Sequence, residues 1–175
     1  ATMEDIDPVR YITNRSTGKM GYAIAEQAVL KGATVVLISG KTNLTPPRGL
    51  SKFIEVRSAE EMYQEVKREM LDTDILIKAA AVADFTPKVV AKNKIKKQDE
   101  NLVIDLKRTK DIAFEMGQLK KSNQVMVGFA AETESVLEHA VQKLKKKNLD
   151  FIVSNDLTKS GAGFGTDTNI VNFLF

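Results

Sequence analysis

The spacing of apolar positions changes several times along the chain, and each change marks an element. Residues 21–31 (GYAIAEQAVLK) carry apolar side chains at helical spacing, with Ala23, Ile24, Ala28 and Val29 inward and Gly32 as the stop. Thr34–Ile38 is a continuous, largely β-branched run that predicts a buried strand, ended by Ser39-Gly40. A Pro/Gly loop at 45–49 leads to a short strand around 53–56. Ser58 then caps a helix over 59–71, whose first turn carries Glu60 and Glu61, where the helix dipole favours acids. Asp74–Ile77 reads as a second buried strand and runs into Ala79-Ala-Ala-Val-Ala-Asp84. The Lys-rich stretch 87–101 is weakly periodic and predicts a loop or mobile flap. Leu102–Leu106 alternates like a strand, 110–118 predicts a short helix, and Val125–Val127 is a third core strand ending at Gly128-Phe129. A helix over 134–147 sets Val136, Leu137, Ala140, Val141 and Leu144 on one face, and strands at 151–153 and 170–175 complete the series.

Strands that alternate with helices imply an α/β fold: a doubly wound, mostly parallel sheet in a Rossmann-like three-layer sandwich. A length of 175 residues predicts a single domain over 1–175. The first clear element is a helix opening at a Gly-rich turn. Residues 1–9 are polar and too short for both a strand and a turn, so the sequence is expected to lack its first strand and Gly-rich turn.

Composition narrows the chemistry. The chain has no cysteine, which removes disulfides, thiolate metal sites and a cysteine nucleophile. Its one histidine, His139, removes sites built on two imidazoles, including most zinc centres. The net charge of +3 is too modest for bulk polyelectrolyte binding, so no nucleic-acid partner is expected, whereas small anions remain attractive. No apolar run approaches the roughly 20 residues that span a bilayer, and no signal-peptide pattern opens the chain. No membrane partner is expected, and the expected location is cytoplasmic.

Four constellations could carry chemistry. Thr13-Asn-Arg-Ser-Thr-Gly-Lys-Met-Gly21 precedes a helix. Its small residues let backbone amides approach an anion, with Ser16, Thr17, Gly18 and Lys19 as phosphate-contact candidates; the plainer reading is a capped loop. Ala79–Asp84 follows a strand, where switch-point ligands sit. Its small side chains leave room for a base or ribose, and Asp84 could accept from hydroxyls, attract a cation or simply cap a helix. Lys92-Asn-Lys-Ile-Lys-Lys97 is either a solvated charged loop or a basic flap that closes over phosphates. Gly128-Phe-Ala-Ala-Glu-Thr133 precedes a helix whose Lys143 and Lys147 share a face; Phe129 could stack on a base or fill the core.

Two features of the chain also suit a dinucleotide-dependent oxidoreductase. Ser16–Ile24 followed by Gly32–Val36 looks like the cofactor fold of short-chain dehydrogenases, and Tyr63-Gln-Glu-Val-Lys67 has Y-x-x-x-K spacing. The Tyr/Lys pair, however, precedes the Ala79–Ala81 strand end instead of following it. The strand Val35–Ile38 also lacks a terminal acid for a ribose hydroxyl.

Taken in order, the motifs resemble the phosphopantothenoylcysteine synthetases of the bacterial, CTP-dependent type. The stretch Asp7-Pro-Val-Arg-Tyr-Ile-Thr-Asn-Arg-Ser-Thr-Gly-Lys-Met-Gly21 is similar to their opening signature, and Ala79–Asp84, Lys94–Lys97, Gly128–Thr133 and Ser154-Asn-Asp156 follow in the same order. The resemblance implies a ligase of coenzyme A biosynthesis that joins 4′-phosphopantothenate to L-cysteine. CTP is the co-substrate, an acyl-cytidylate the intermediate, and CMP and pyrophosphate the by-products. It also implies Mg²⁺ beside the triphosphate, with ligands unknown, a homodimer, and fusion in many members to a flavin-dependent phosphopantothenoylcysteine decarboxylase. Asn14 resembles the asparagine that holds the acyl-nucleotide, Arg10 an arginine needed for turnover, and Lys94 the flap lysine that assists activation. Ala79, Ala80, Ala81, Asp84, Phe129, Lys143 and Lys147 match nucleotide-site positions. Thr109, Lys110, Asp111 and Ile112 match a further nucleotide-contact block, with Thr109-Lys110 standing where Asn-Pro is frequent. Two alternatives remain beside the ligase: the NAD(P)-dependent oxidoreductase and a catalytically inactive nucleotide-binding module.

Overall fold

The computed structural model describes residues 1–97, 101–132, 136–156 and 168–175. It shows the expected α/β class with parallel strands, divided into two compact units. Residues 98–100 of the flap, Thr133 and residues 134–135 of the predicted last helix lie outside the described residues.

The first unit takes in residues 1–18, 22–65 and 80–110. A small antiparallel pair opens it, β1 (Glu4–Asp5) against β2 (Tyr11–Ile12), where periodicity predicts no strand; two-residue strands are too short to show a period. Helix α1 (Lys19–Leu30), most of which belongs here, is rotated from the expected face. Tyr22 and Ala25 are buried and Ala23 is exposed, because the Tyr22 hydroxyl reaches the buried Ser39 Oγ at 3.2 Å. Strand β3 (Val36–Gly40) pairs in parallel with β4 (Lys52–Val56), so Ser39-Gly40 are its buried end rather than its stop. Helix α2 (Ala59–Glu69) begins as predicted at Ser58, whose Oγ accepts from the Glu61 N–H at 3.1 Å. The buried Glu4 carboxylate accepts from the Ala59 N–H at 2.9 Å, so a hydroxyl and a carboxylate meet this helix's unpaired amides. Antiparallel β6 (Phe85–Pro87) and β7 (Leu106–Arg108) form a ribbon. The alternating stretch predicted at 102–106 is thus displaced: pairing to β6 selects 106–108, and Leu102 and Val103 are exposed.

The second unit takes in residues 19–21, 66–79 and 111–175. Its sheet has the order β10-β9-β8-β5: β5 (Ile75–Lys78), β8 (Val125–Glu132) and β9 (Phe151–Asp156) are parallel, and β10 (Val171–Leu174) is antiparallel to β9. Strand β5 is not the fully buried strand expected. Among the described residues it pairs on one side only, and Ile75 and Ile77 are 58% and 40% exposed. Strand β8 does not stop at Gly128-Phe129; its register with β9 runs on to Glu132↔Asp156. A Cβ at Gly128 would come within 2.5 Å of Leu149 Cδ1, so a larger residue there requires the Leu149 side chain to shift. Two polar side chains tie the unit together. Buried Gln124 donates to the carbonyls of Met70 (2.8 Å) and Thr73 (2.7 Å), and Asp150 accepts from the Met126 N–H (2.6 Å) and the Lys120 ammonium (3.0 Å). Helix α3 (Ile112–Leu119) buries Ile112, Ala113 and Met116, and α4 (Val136–Lys146) packs on β8 and β9 with Ala140 fully buried. The predicted α4 stripe is narrower than expected, since Val141 is 39% exposed.

Candidate active site

In the first unit, three stretches far apart in sequence are stitched together by backbone and hydroxyl bonds. Thr2 is fully buried and sits at the centre. Its N–H donates to the Ala81 carbonyl (3.3 Å), its Oγ1 accepts from the Ala83 N–H (3.0 Å), and its carbonyl accepts from the Thr13 hydroxyl (2.7 Å). Asn14 joins the same cluster: its Nδ2 donates to the Ala81 carbonyl at 3.0 Å and its Oδ1 accepts from the Ser16 N–H at 3.0 Å. Thr109 closes the far side, its hydroxyl donating to the Ala83 carbonyl (2.6 Å) and its N–H to the Asp84 carbonyl (3.0 Å). The Asn14 loop, Ala80–Asp84 and Thr109 are therefore brought together, with Asp84 presenting an exposed carboxylate. An amide group has two donors and two acceptor lone pairs, so Asn14 is oriented by two bonds and keeps one donor and one lone pair for a ligand.

Arg10 stands on the same loop, on the buried carboxylate of Asp7. Lys94 is exposed on the lysine segment. Lys110 is turned elsewhere: its ammonium is 2.8 Å from Glu60 and 4.2 Å above the Tyr63 ring, on α2. Tyr63, the tyrosine of the Y-x-x-x-K spacing, is buried beneath that ammonium. Gly18 opens α1 as its N-cap in the left-handed region (φ 86°), which favours glycine. The Thr17 carbonyl accepts from the Thr42 hydroxyl at 2.9 Å, which anchors the phosphate-candidate turn to the segment after β3.

In the second unit, Ala79 follows β5, and Phe129 is half-buried on β8 opposite Val153. Asp111 is the N-cap of α3, accepting from the Phe114 N–H at 3.2 Å, and it also holds the Lys147 ammonium at 3.0 Å. Two sequence-predicted nucleotide residues thus meet in an ion pair, with Lys143 one turn earlier on α4 and half-buried. Ile112, by contrast, is a core residue. Burial raises the Asp111 pKa, but Lys147, the Phe114 N–H and the charge of Lys78 outweigh it, so the carboxyl lies below its ordinary value. A depressed folded-state pKa stabilises above the unfolded value and is lost as pH falls through the folded one. Asp111→Ala is expected to cost about 1 kcal/mol at pH 7, an ordinary cap value, and the loss should shrink below about pH 4. Urea unfolding of both proteins at the two pH values checks this.

Sequence reasoning missed Thr2 and Asp7. The Asp-Pro-x-Arg pattern was a usable signal for Asp7, because an aspartate two residues ahead of a free N–H builds a turn on its own side chain. Thr2 had no local signal, since Thr13 is 11 positions away and its other partners, Ala81 and Ala83, lie about 80 positions away.

Comparison with known proteins bears on this arrangement. The family described as DNA/pantothenate metabolism flavoprotein C-terminal domain matches residues 1–175. The chain belongs to this family. The Coenzyme A biosynthesis bifunctional protein CoaBC of Bacillus subtilis is 56% identical over 174 residues, which is 99% of this chain and 43% of that protein. The chain therefore spans less than half the length of that relative. Among solved structures, the C-terminal domain of a CoaBC protein is 45% identical with a TM-score of 0.81, covering 98% of this chain and 76% of that one. The DNA/pantothenate metabolism flavoprotein from Streptococcus pneumoniae is 27% identical with a TM-score of 0.80, covering 98% and 88%. The family match over residues 1–175 bears out the family resemblance read from the motifs. Among the described residues, no helix is long and apolar enough to cross a membrane.

Proposed function

We propose that this chain is the ligase part of a bifunctional coenzyme A biosynthesis protein and joins 4′-phosphopantothenate to cysteine at the expense of CTP. The observation that carries the reading is the bond from Asn14 Nδ2 to the Ala81 carbonyl, which holds the asparagine of the opening signature against the nucleotide-site segment. A phosphopantothenate carboxylate oxygen attacks the α-phosphorus of CTP, the bond to the β-phosphate oxygen breaks, and pyrophosphate leaves. The cysteine amine then attacks the acyl carbon, CMP leaves with that carboxylate oxygen, and the amine loses a proton. The remaining Asn14 N–H is available to the acyl oxygen, where charge develops in the second step. Lys94 offsets the charge that builds on the departing pyrophosphate.

Among the described residues, no three acidic or imidazole groups gather into a cation cage. This donor set fits Mg²⁺ carried by the triphosphate and met by a single exposed carboxylate, such as Asp84. Bound there, the ion would neutralise phosphate charge. A homodimer, a cytoplasmic setting and a fused flavin-dependent decarboxylase belong to the same reading.

The test is product analysis with CTP, Mg²⁺ and phosphopantothenate, with and without cysteine. The expected result is pyrophosphate in both cases and CMP with the cysteine adduct only when cysteine is present. Tight CTP binding without pyrophosphate would favour an inactive nucleotide-binding module. Nicotinamide reduction without CTP binding would favour the oxidoreductase.

A further inference from the structure

The backbone of Ile95 is gripped from both sides by an ion pair that begins 88 residues earlier in the chain. Asp7 has no exposed side-chain surface. Its Oδ1 accepts from the N–H groups of Val9 (2.8 Å) and Arg10 (2.9 Å), which closes the turn. Its Oδ2 accepts from Arg10 Nε (3.0 Å), from Arg10 Nη2 and from the Ile95 N–H (3.1 Å). Arg10 Nη2 in turn donates to the Ile95 carbonyl at 2.8 Å. A second tie lies four residues earlier, where the Ala91 N–H donates to the Ile6 carbonyl at 2.9 Å. Residues 88–97 form neither helix nor strand, so this exposed segment has no ladder of its own to shape it. Lys94 and Lys96, on either side of the gripped residue, are exposed.

We propose that Asp7 is the positioning residue of the lysine segment: with Arg10 it latches Ile95, and so sets where Lys94 stands relative to the loop that carries Asn14. The proposal rests on the ligase reading for the use made of Lys94, but not for the latch itself. Burying a carboxylate is unfavourable unless it is paired and hydrogen-bonded, and the five bonds to Asp7 meet that condition only while Ile95 is in place. Arg10 accordingly acts through the carboxylate and the Ile95 carbonyl, leaving its remaining N–H groups for substrate. Asparagine at position 7 would turn an amide NH₂ or a weaker carbonyl toward the Arg10 and Ile95 donors. Glutamate would be a methylene too long to close the turn on Val9 and Arg10. Depression of the Asp7 carboxyl well below the usual carboxylate range, caused first by Arg10 and then by the backbone N–H groups of Ile95, Val9 and Arg10 against an opposing burial effect, agrees with a latch that stays charged at neutral pH.

The test combines amide hydrogen exchange with kinetics on wild type, Asp7→Asn and Arg10→Lys, with Asp5→Asn, which breaks only an exposed pair to Arg57, as control. The expected result is that Ile95 loses roughly 100-fold of its protection in Asp7→Asn while Val127 and Ile152 in the sheet change less than about threefold. Turnover measured by pyrophosphate release should fall about 10- to 100-fold with KM for CTP within about threefold, as displacement of a catalytic group predicts. Arg10→Lys should give the same pattern in weaker form, and it decides the matter if Asp7→Asn does not fold. Unchanged exchange at Ile95, loss of protection throughout the sheet, or lost protection with unchanged turnover would each overturn the proposal. If wild type releases no pyrophosphate, the ligase reading fails and the placing of Lys94 falls with it, while exchange at Ile95 still decides whether the latch exists.

Discussion

Asn14→Asp is expected to lower formation of the cysteine adduct by about 10²- to 10³-fold while changing CTP affinity by less than about tenfold, as for other lost transition-state donors. The substitution is nearly isosteric, so its effect comes from charge and donor count. Nδ2 now donates to the Ala81 carbonyl at 3.0 Å, and a carboxylate oxygen there would face an acceptor with no proton between them. The bond from the Ser16 N–H to Oδ1 can survive, because a carboxylate accepts it equally well. The loop should therefore keep its path on one side and lose its tie to Ala81 on the other. The variant would also set a negative charge beside a polyanionic nucleotide. Separate measurement of pyrophosphate and of the cysteine adduct distinguishes the two steps, and a variant that loses CTP binding as severely as adduct formation would reduce Asn14 to a structural residue.

Lys94→Gln carries the second large expectation: release of pyrophosphate should slow by about 10²-fold, the scale typical of a removed charge-stabilising group. Stability should move by no more than about 0.5 kcal/mol, because Lys94 is exposed. Where Asn14→Asp stalls the protein after activation, Lys94→Gln stalls it before. Pre-steady-state pyrophosphate release in the absence of cysteine separates them, and unchanged release would remove Lys94 from the reaction.

How much of this was legible follows from the range over which each feature is determined. The helices over Ala59–Glu69 and Ile112–Leu119 are readable because their caps, Ser58 and Asp111, act on N–H groups three residues ahead. The strand class of Val125–Val127 is readable from its apolar run, but its end is not: glycine both stops strands and permits close packing, and only the pairing with β9, which runs on to Glu132, decides which Gly128 does. The ribbon at Leu106–Arg108 is selected by its antiparallel partner at Phe85–Pro87, so alternation at 102–106 misplaces it. Lys110 matches a nucleotide-contact position in sequence, yet Glu60 and Tyr63, some 50 residues back, take its ammonium. Asp7 and Thr2 hold the site together through partners about 80 to 90 residues away, a distance over which composition and period say nothing.

The acyl-cytidylate is the centre of the account, and the fate of one oxygen atom tests it. Phosphopantothenate labelled with ¹⁸O in its carboxylate, incubated with CTP, Mg²⁺ and cysteine, should transfer one labelled oxygen to CMP for each adduct formed and none to pyrophosphate. Label appearing in a released phosphate or pyrophosphate, or CMP formed without label, would contradict attack of the carboxylate on the α-phosphorus and with it the proposed activity.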